Sequence, residues 1–145
     1  MPARDPFERL VDEIGRGGSS RQSVWGQHQR RMSSGPNERR IGKALREYWG
    51  ADADPMRVRF AQEDARFVAG VARMVGDELG LSSDDRRRVI SAIVRHRLLA
   101  ERDPSLEIVD RAWMAWWPPQ TGEDARTRLR DFLRAWREWL ANSSS

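Results

Sequence analysis

The chain has 145 residues, 39% hydrophobic and 33% charged, enough for one hydrophobic core and too apolar for a disordered chain. It has no cysteine and only two histidines, His28 and His96, which excludes disulfides and thiol catalysis and leaves too few ligands for a zinc centre. Its net charge of +4 is local: residues 1–50 hold 10 basic and 6 acidic side chains, residues 51–145 hold 16 of each, and residues 21–46 set seven basic groups against Glu38 alone.

In chain order, nearly every segment carries helical spacing. In DPFERLVDEIGRGG, Asp5 is placed to cap and Pro6 to open a helix that Gly17 and Gly18 close. The next stretch, SSRQSVWGQHQRRMSSGP, is weakly periodic and glycine-broken, and reads as a short helix in a mobile stretch or as a loop. Residues 17–36 are thus expected to be basic and mobile. NERRIGKALREYWG predicts a helix capped by Asn37, with Ile41, Ala44, Leu45 and Tyr48 on one face and Gly50 as its stop.

DPMRVRFAQEDARFVAGVARMVGDELGL opens again on Asp-Pro. Phe60, Phe67, Val71, Met74 and Leu79 keep helical spacing there, and Gly80 followed by Leu81 is a glycine stop. SSDDRRRVISAIVRHRLLAERDP starts on a Ser82…Asp85 cap and turns Val89, Ile90, Ile93, Val94 and Leu98 inward. Pro104 begins PSLEIVDRAWMAWWPP. The last segment places Ala125, Leu129, Phe132, Leu133, Trp136 and Leu140 on one stripe, and its serine-rich end, residues 142–145, reads as frayed.

No segment alternates with period two. The chain is therefore predicted to be all-α, a single helical domain over residues 1–145, built as a bundle of about six helices with short loops. Such a fold lacks the parallel-sheet crevice that usually takes a nucleotide, and no cofactor is expected. No apolar run is long enough to span a bilayer and no basic-then-apolar leader opens the chain, so a cytoplasmic protein without membrane contact is expected.

Trp113, Trp116 and Trp117 fall at i, i+3 and i+4, on one helical face that Leu106 and Val109 extend backwards. A stripe continued by aliphatic residues is a core stripe, whereas a stacking platform alternates exposed rings with basic side chains. Trp117, beside Pro118 and Pro119, is the ring expected to stay partly exposed. GRGGSSR at 15–21 lacks the spacing and the lysine of a phosphate loop and reads as a linker.

Catalytic patterns are thin. His96 lies between Arg95 and Arg97, a neighbourhood that disfavours its charged form, and no nucleophile elbow occurs. The acidic pairs Asp84-Asp85 and Glu123-Asp124 stand at helix starts, where the dipole favours them, and Asp124 is spaced to pair with Arg128. No enzymatic activity is expected.

Arginine stripes are the strongest functional signal. Arg39, Lys43 and Arg46 stand at i, i+4 and i+7, with Arg40 beside them and Arg30 and Arg31 just before. Arg88, Arg95 and Arg102 recur every seven residues, and Arg126, Arg130, Arg134 and Arg137 line the last helix. Unpaired helical cations at this spacing suit successive phosphates of a nucleic-acid backbone, with no sign of base readout. Arg30, Arg31, Arg39, Arg40, Lys43, Arg46, Arg88 and Arg95 are the candidate nucleic-acid-binding residues.

DRAWMAWWPPQTGEDARTRLRDFLRAW resembles the closing region of the small subunit of Cascade-type CRISPR effector complexes. In that family an aromatic helix ending in a double tryptophan leads through a short break to a last amphipathic helix with a central aromatic residue. Trp116, Trp117, Leu129 and Phe132 are the matching positions, and the double proline and the basic N-terminal stretch depart from the pattern. The resemblance covers roughly 30 residues. It implies a non-catalytic subunit of an RNA-guided ribonucleoprotein that packs on CRISPR backbone subunits and on neighbouring copies of itself. Its arginines would meet guide RNA or target strands, and guide pairing would carry the specificity. Two other classes fit the same composition: a dimeric DNA-binding regulator of a phage or plasmid, and a helical scaffold that ignores nucleic acid.

Overall fold

The first four helices begin where a side chain takes a backbone N–H that has no carbonyl partner within the helix. In the computed structural model, which describes residues 5–16, 37–117 and 122–143, Asp5 accepts from Phe7 N at 3.0 Å and opens α1 (Pro6–Arg16). Asn37 accepts from Arg40 N at the start of α2 (Glu38–Trp49). Asp54 accepts from Met56 N before α3 (Pro55–Leu79), and Ser82 from Asp85 N before α4 (Ser83–Ile93). A 3₁₀ turn, Pro104–Leu106, leads into α5 (Glu107–Trp116), and α6 (Glu123–Ser143) ends the described chain.

Among the described residues there are six α-helices and no strand, the all-α bundle that the periodicity predicts. The stretch at 17–36, the double proline at 118–119 and the last two residues lie outside the described residues. Asn142 and Ser143, expected in a frayed end, stand in the last turn of α6.

Gly80 ends α3 in the left-handed region at φ 59°, so that its N–H reaches the Asp77 carbonyl and Leu81 N–H reaches Gly76. α4 does not stop at Ile93 but widens into a π-helical turn, Val94–Leu98, closed by Leu99 N–H on the Val94 carbonyl. That turn carries Arg95, His96 and Arg97. The helix ends there, and Arg102 falls in the loop beyond, off the seven-residue repeat of Arg88 and Arg95.

α3 is the central helix and packs on α1, α2, α4, α6 and the π turn. α1 pairs with α2, and α5 with α6. The face that α3 buries is made of small residues, Val58, Ala61, Ala65, Val68, Ala69, Val71, Ala72 and Val75. Of the larger residues read at helical spacing, Val71 alone is buried: Phe60 is 57% exposed, and Phe67, Met74 and Leu79 are only partly buried. A helix approached from several sides needs short side chains for its neighbours to come close, so the alanine and valine stripe wins over the larger one. Phe132, Ala135, Trp136 and Leu140 bring α6 into the same core. Among the described residues no helix is long and apolar enough to cross a membrane.

Candidate nucleic-acid interface

Burial of Ile41, Ala44 and Leu45 against the bundle fixes the rotation of α2. The opposite face, with Arg39, Arg40, Lys43 and Arg46, is consequently exposed. From Arg39 to Arg46 the helix rises about 10 Å. The two carboxylates on α2 are drawn elsewhere: Glu38 pairs with Arg66 of α3 at 3.4 Å, and Glu47 pairs with Arg9 of α1. None of the four cations has an ion-pair partner among the described residues. Arg30 and Arg31 lie outside the described residues.

Arg88 and Arg95 belong to a different surface. Arg88 bonds Asp85 at 2.9 Å and the Leu140 carbonyl at 3.2 Å. Arg95 reaches Glu101 at 3.5 Å, and its guanidinium lies 3.8 Å from the Phe7 ring centroid. With Arg87, itself paired to Asp12 at 2.6 Å, they line an open groove of about 530 Å³. Each of these arginines already has an acidic partner, so their charge is partly spent within the fold.

α6 presents Arg126, Arg130, Arg134 and Arg137, all exposed and without an ion-pair partner among the described residues. The expected Asp124–Arg128 pair does not form. Arg128 instead donates to the Ala115 carbonyl at 3.2 Å, because α5 ends beside it.

The tryptophan-rich helix is structural. Trp113 is 3% exposed and meets Phe132 edge-on at 5.2 Å, and Trp116 stacks on Phe132. Trp117, 44% exposed, leans on Phe67 at 4.7 Å. It is the most exposed of the three rings, in keeping with its place beside the prolines, and Trp116 is itself only partly buried.

His96 has more than arginines around it. Its Nε2 is 3.1 Å from Asp110 Oδ1, which also lies 2.8 Å from Arg97 Nη2. These are ion-pair distances without hydrogen-bond alignment. The three side chains tie the π turn to α5 and leave Arg97 4.3 Å from the Trp113 ring centroid. Among the described residues no group of three or more His, Asp or Glu side chains is arranged to hold a metal ion.

One ring escaped the reading of the sequence. Trp139 lines the same groove as Arg88 and Arg95, and only the pairing of α4 with α6 brings them together. Comparison with protein-family models, with curated proteins and with solved structures finds no match to this chain.

Proposed function

We propose that the chain is a non-catalytic, sequence-independent nucleic-acid-binding protein, acting as the small subunit of a multi-subunit CRISPR ribonucleoprotein. The observation that carries the binding reading is the α2 face: four exposed cations whose neighbouring carboxylates are committed to other helices. Cations uncompensated within the fold gain most from meeting phosphates, because the counterions they displace are released. Their spacing along one helix face, about 6 Å between neighbours, suits backbone contact rather than base readout. The α6 arginines offer a second such face.

The assembly follows from the resemblance of the C-terminal third, and the packing of the aromatic helix against the last helix supports it. In that setting the arginines line the path of guide and target strands, and the remaining surface packs on backbone subunits and neighbouring copies.

The test is fluorescence anisotropy with labelled RNA and DNA oligomers of unrelated sequence across a salt series. Expected is binding that ignores sequence and weakens with a slope of about −3 in log K against log salt, for roughly four phosphates neutralised on a single strand. Strong preference for one duplex sequence would overturn this in favour of a regulator, and absence of binding at low salt in favour of a scaffold.

A further inference from the structure

Trp139 forms a wall shared by two neighbouring concavities. One is a cavity of about 240 Å³ with an apolar lining of Ile108, Val109 and Ala135 and polar groups from Glu138 and Asn142. The other is the open groove of about 530 Å³ lined by Arg87, Arg88 and Arg95. The ring is held in place: its Nε1 donates to Ser105 Oγ at 3.0 Å, and Trp136 meets it edge to face at 5.5 Å. On the groove side Arg88 sits 5.6 Å from the ring centroid.

We propose that these two concavities form one site for an unpaired nucleotide of a single strand. The base enters the apolar cavity against Trp139, and the flanking phosphates lie in the arginine groove. A nucleobase is a flat π-system with polar edges, which suits a small slot with apolar walls and a few polar groups at its rim. A base within a duplex is already stacked and paired, so the site selects single strands. Asp84 and Asp103 also line the groove and temper its charge, so what this site contributes beyond α2 is stacking rather than phosphate attraction. The site deepens, and rests on, the nucleic-acid reading above.

Fluorescence anisotropy of the whole chain with a labelled oligothymidylate and with an abasic strand of the same phosphate count tests the site. The thymidylate strand is expected to bind about tenfold more tightly. That gap should close in Trp139→Leu, with its fold checked by circular dichroism. It should also close in Ile108→Glu, which places a carboxylate in the cavity at a position already 60% exposed and so leaves the core intact. Equal affinity for the two strands overturns the site while leaving backbone binding standing. A gap that survives in Ile108→Glu and in folded Trp139→Leu overturns it equally. Failure to bind either strand overturns the nucleic-acid reading, and the site with it.

Discussion

The rings of Trp116 and Phe132 lie nearly parallel, 4.7 Å between centroids and 11° between planes, and this stack fastens α5 to α6. Phe132 is fully buried and also touches Trp113 and Trp136 edge-on. Phe132→Ala should therefore cost about 3–5 kcal/mol, the range for a large aromatic removed from a core. Trp116 is partly buried, so Trp116→Ala should cost less, on the order of 2 kcal/mol. Urea unfolding measures both. A Trp116→Ala protein of unchanged stability but weakened oligonucleotide binding would show that the ring serves as a platform after all.

On α2 the outward cations are separable from the fold. Arg39→Glu, Lys43→Glu and Arg46→Glu together touch no core side chain, since the buried positions of this helix are Ile41, Gly42, Ala44 and Leu45. Far-UV circular dichroism should be unchanged. Affinity for RNA and DNA oligomers at moderate salt should fall by at least about a hundredfold, and the salt slope should flatten as the phosphate contacts are lost. Retained affinity with an unaltered slope would move the binding surface elsewhere, with the α6 arginines the next to reverse.

What could be read from the chain before its structure was what depends on near neighbours. Asn37, Asp54 and Ser82 cap helices because each needs only an N–H two or three residues on, and Gly80 stops α3 for an equally local reason. The exposure of Arg39, Lys43 and Arg46 follows from the burial of Ile41 and Leu45 on the same helix. α3 offers two apolar stripes, and which one is buried depends on how many helices crowd it; Phe60 lies on the one left outside. The chain leaves the helix after a π turn that no 3.6-residue period reveals, and Arg102 lies in the loop beyond, out of line with Arg95. Arg88 joins Trp139 rather than the α2 cations only through the packing of α4 on α6.

Gly42 and Gln62 form a coupled pair across α2 and α3. A Cβ at Gly42 would stand 2.3 Å from Gln62 Nε2, the atom that donates to the Glu38 carbonyl at 2.7 Å. Two effects of similar size oppose each other in Gly42→Ala. The helix gains about 1 kcal/mol from replacing glycine, and displacing the amide loses a hydrogen bond worth about 1 kcal/mol. The single variant should thus lie within about 1 kcal/mol of the parent. In a Gln62→Ala background the opposing loss is already incurred, and Gly42→Ala should stabilise by about 1 kcal/mol. A double-mutant cycle by urea unfolding reads this coupling directly, and strict additivity would mean that the amide moves aside without cost.

Tyr48 is the chain's single tyrosine, which makes its titration visible without interference from another phenol. Its hydroxyl donates to Glu101, tying α2 to the loop after the π turn. That hydrogen bond, followed by burial and the nearby negative charge of Glu101, raises its pKa above the ordinary 10.0. The sign follows from linkage. At high pH the folded state keeps a proton that the unfolded state releases, so stability falls as pH rises. The stabilisation is present in full below the unfolded value of about 10 and is lost as pH climbs through the raised folded one. Ultraviolet absorbance of the tyrosinate should accordingly give a midpoint above 10 in the folded protein. Glu101→Ala, which removes the acceptor and its charge, should bring the midpoint down towards that of a free phenol and flatten the alkaline loss of stability. A midpoint at the free value in the parent protein would mean that Tyr48 and Glu101 do not meet in solution.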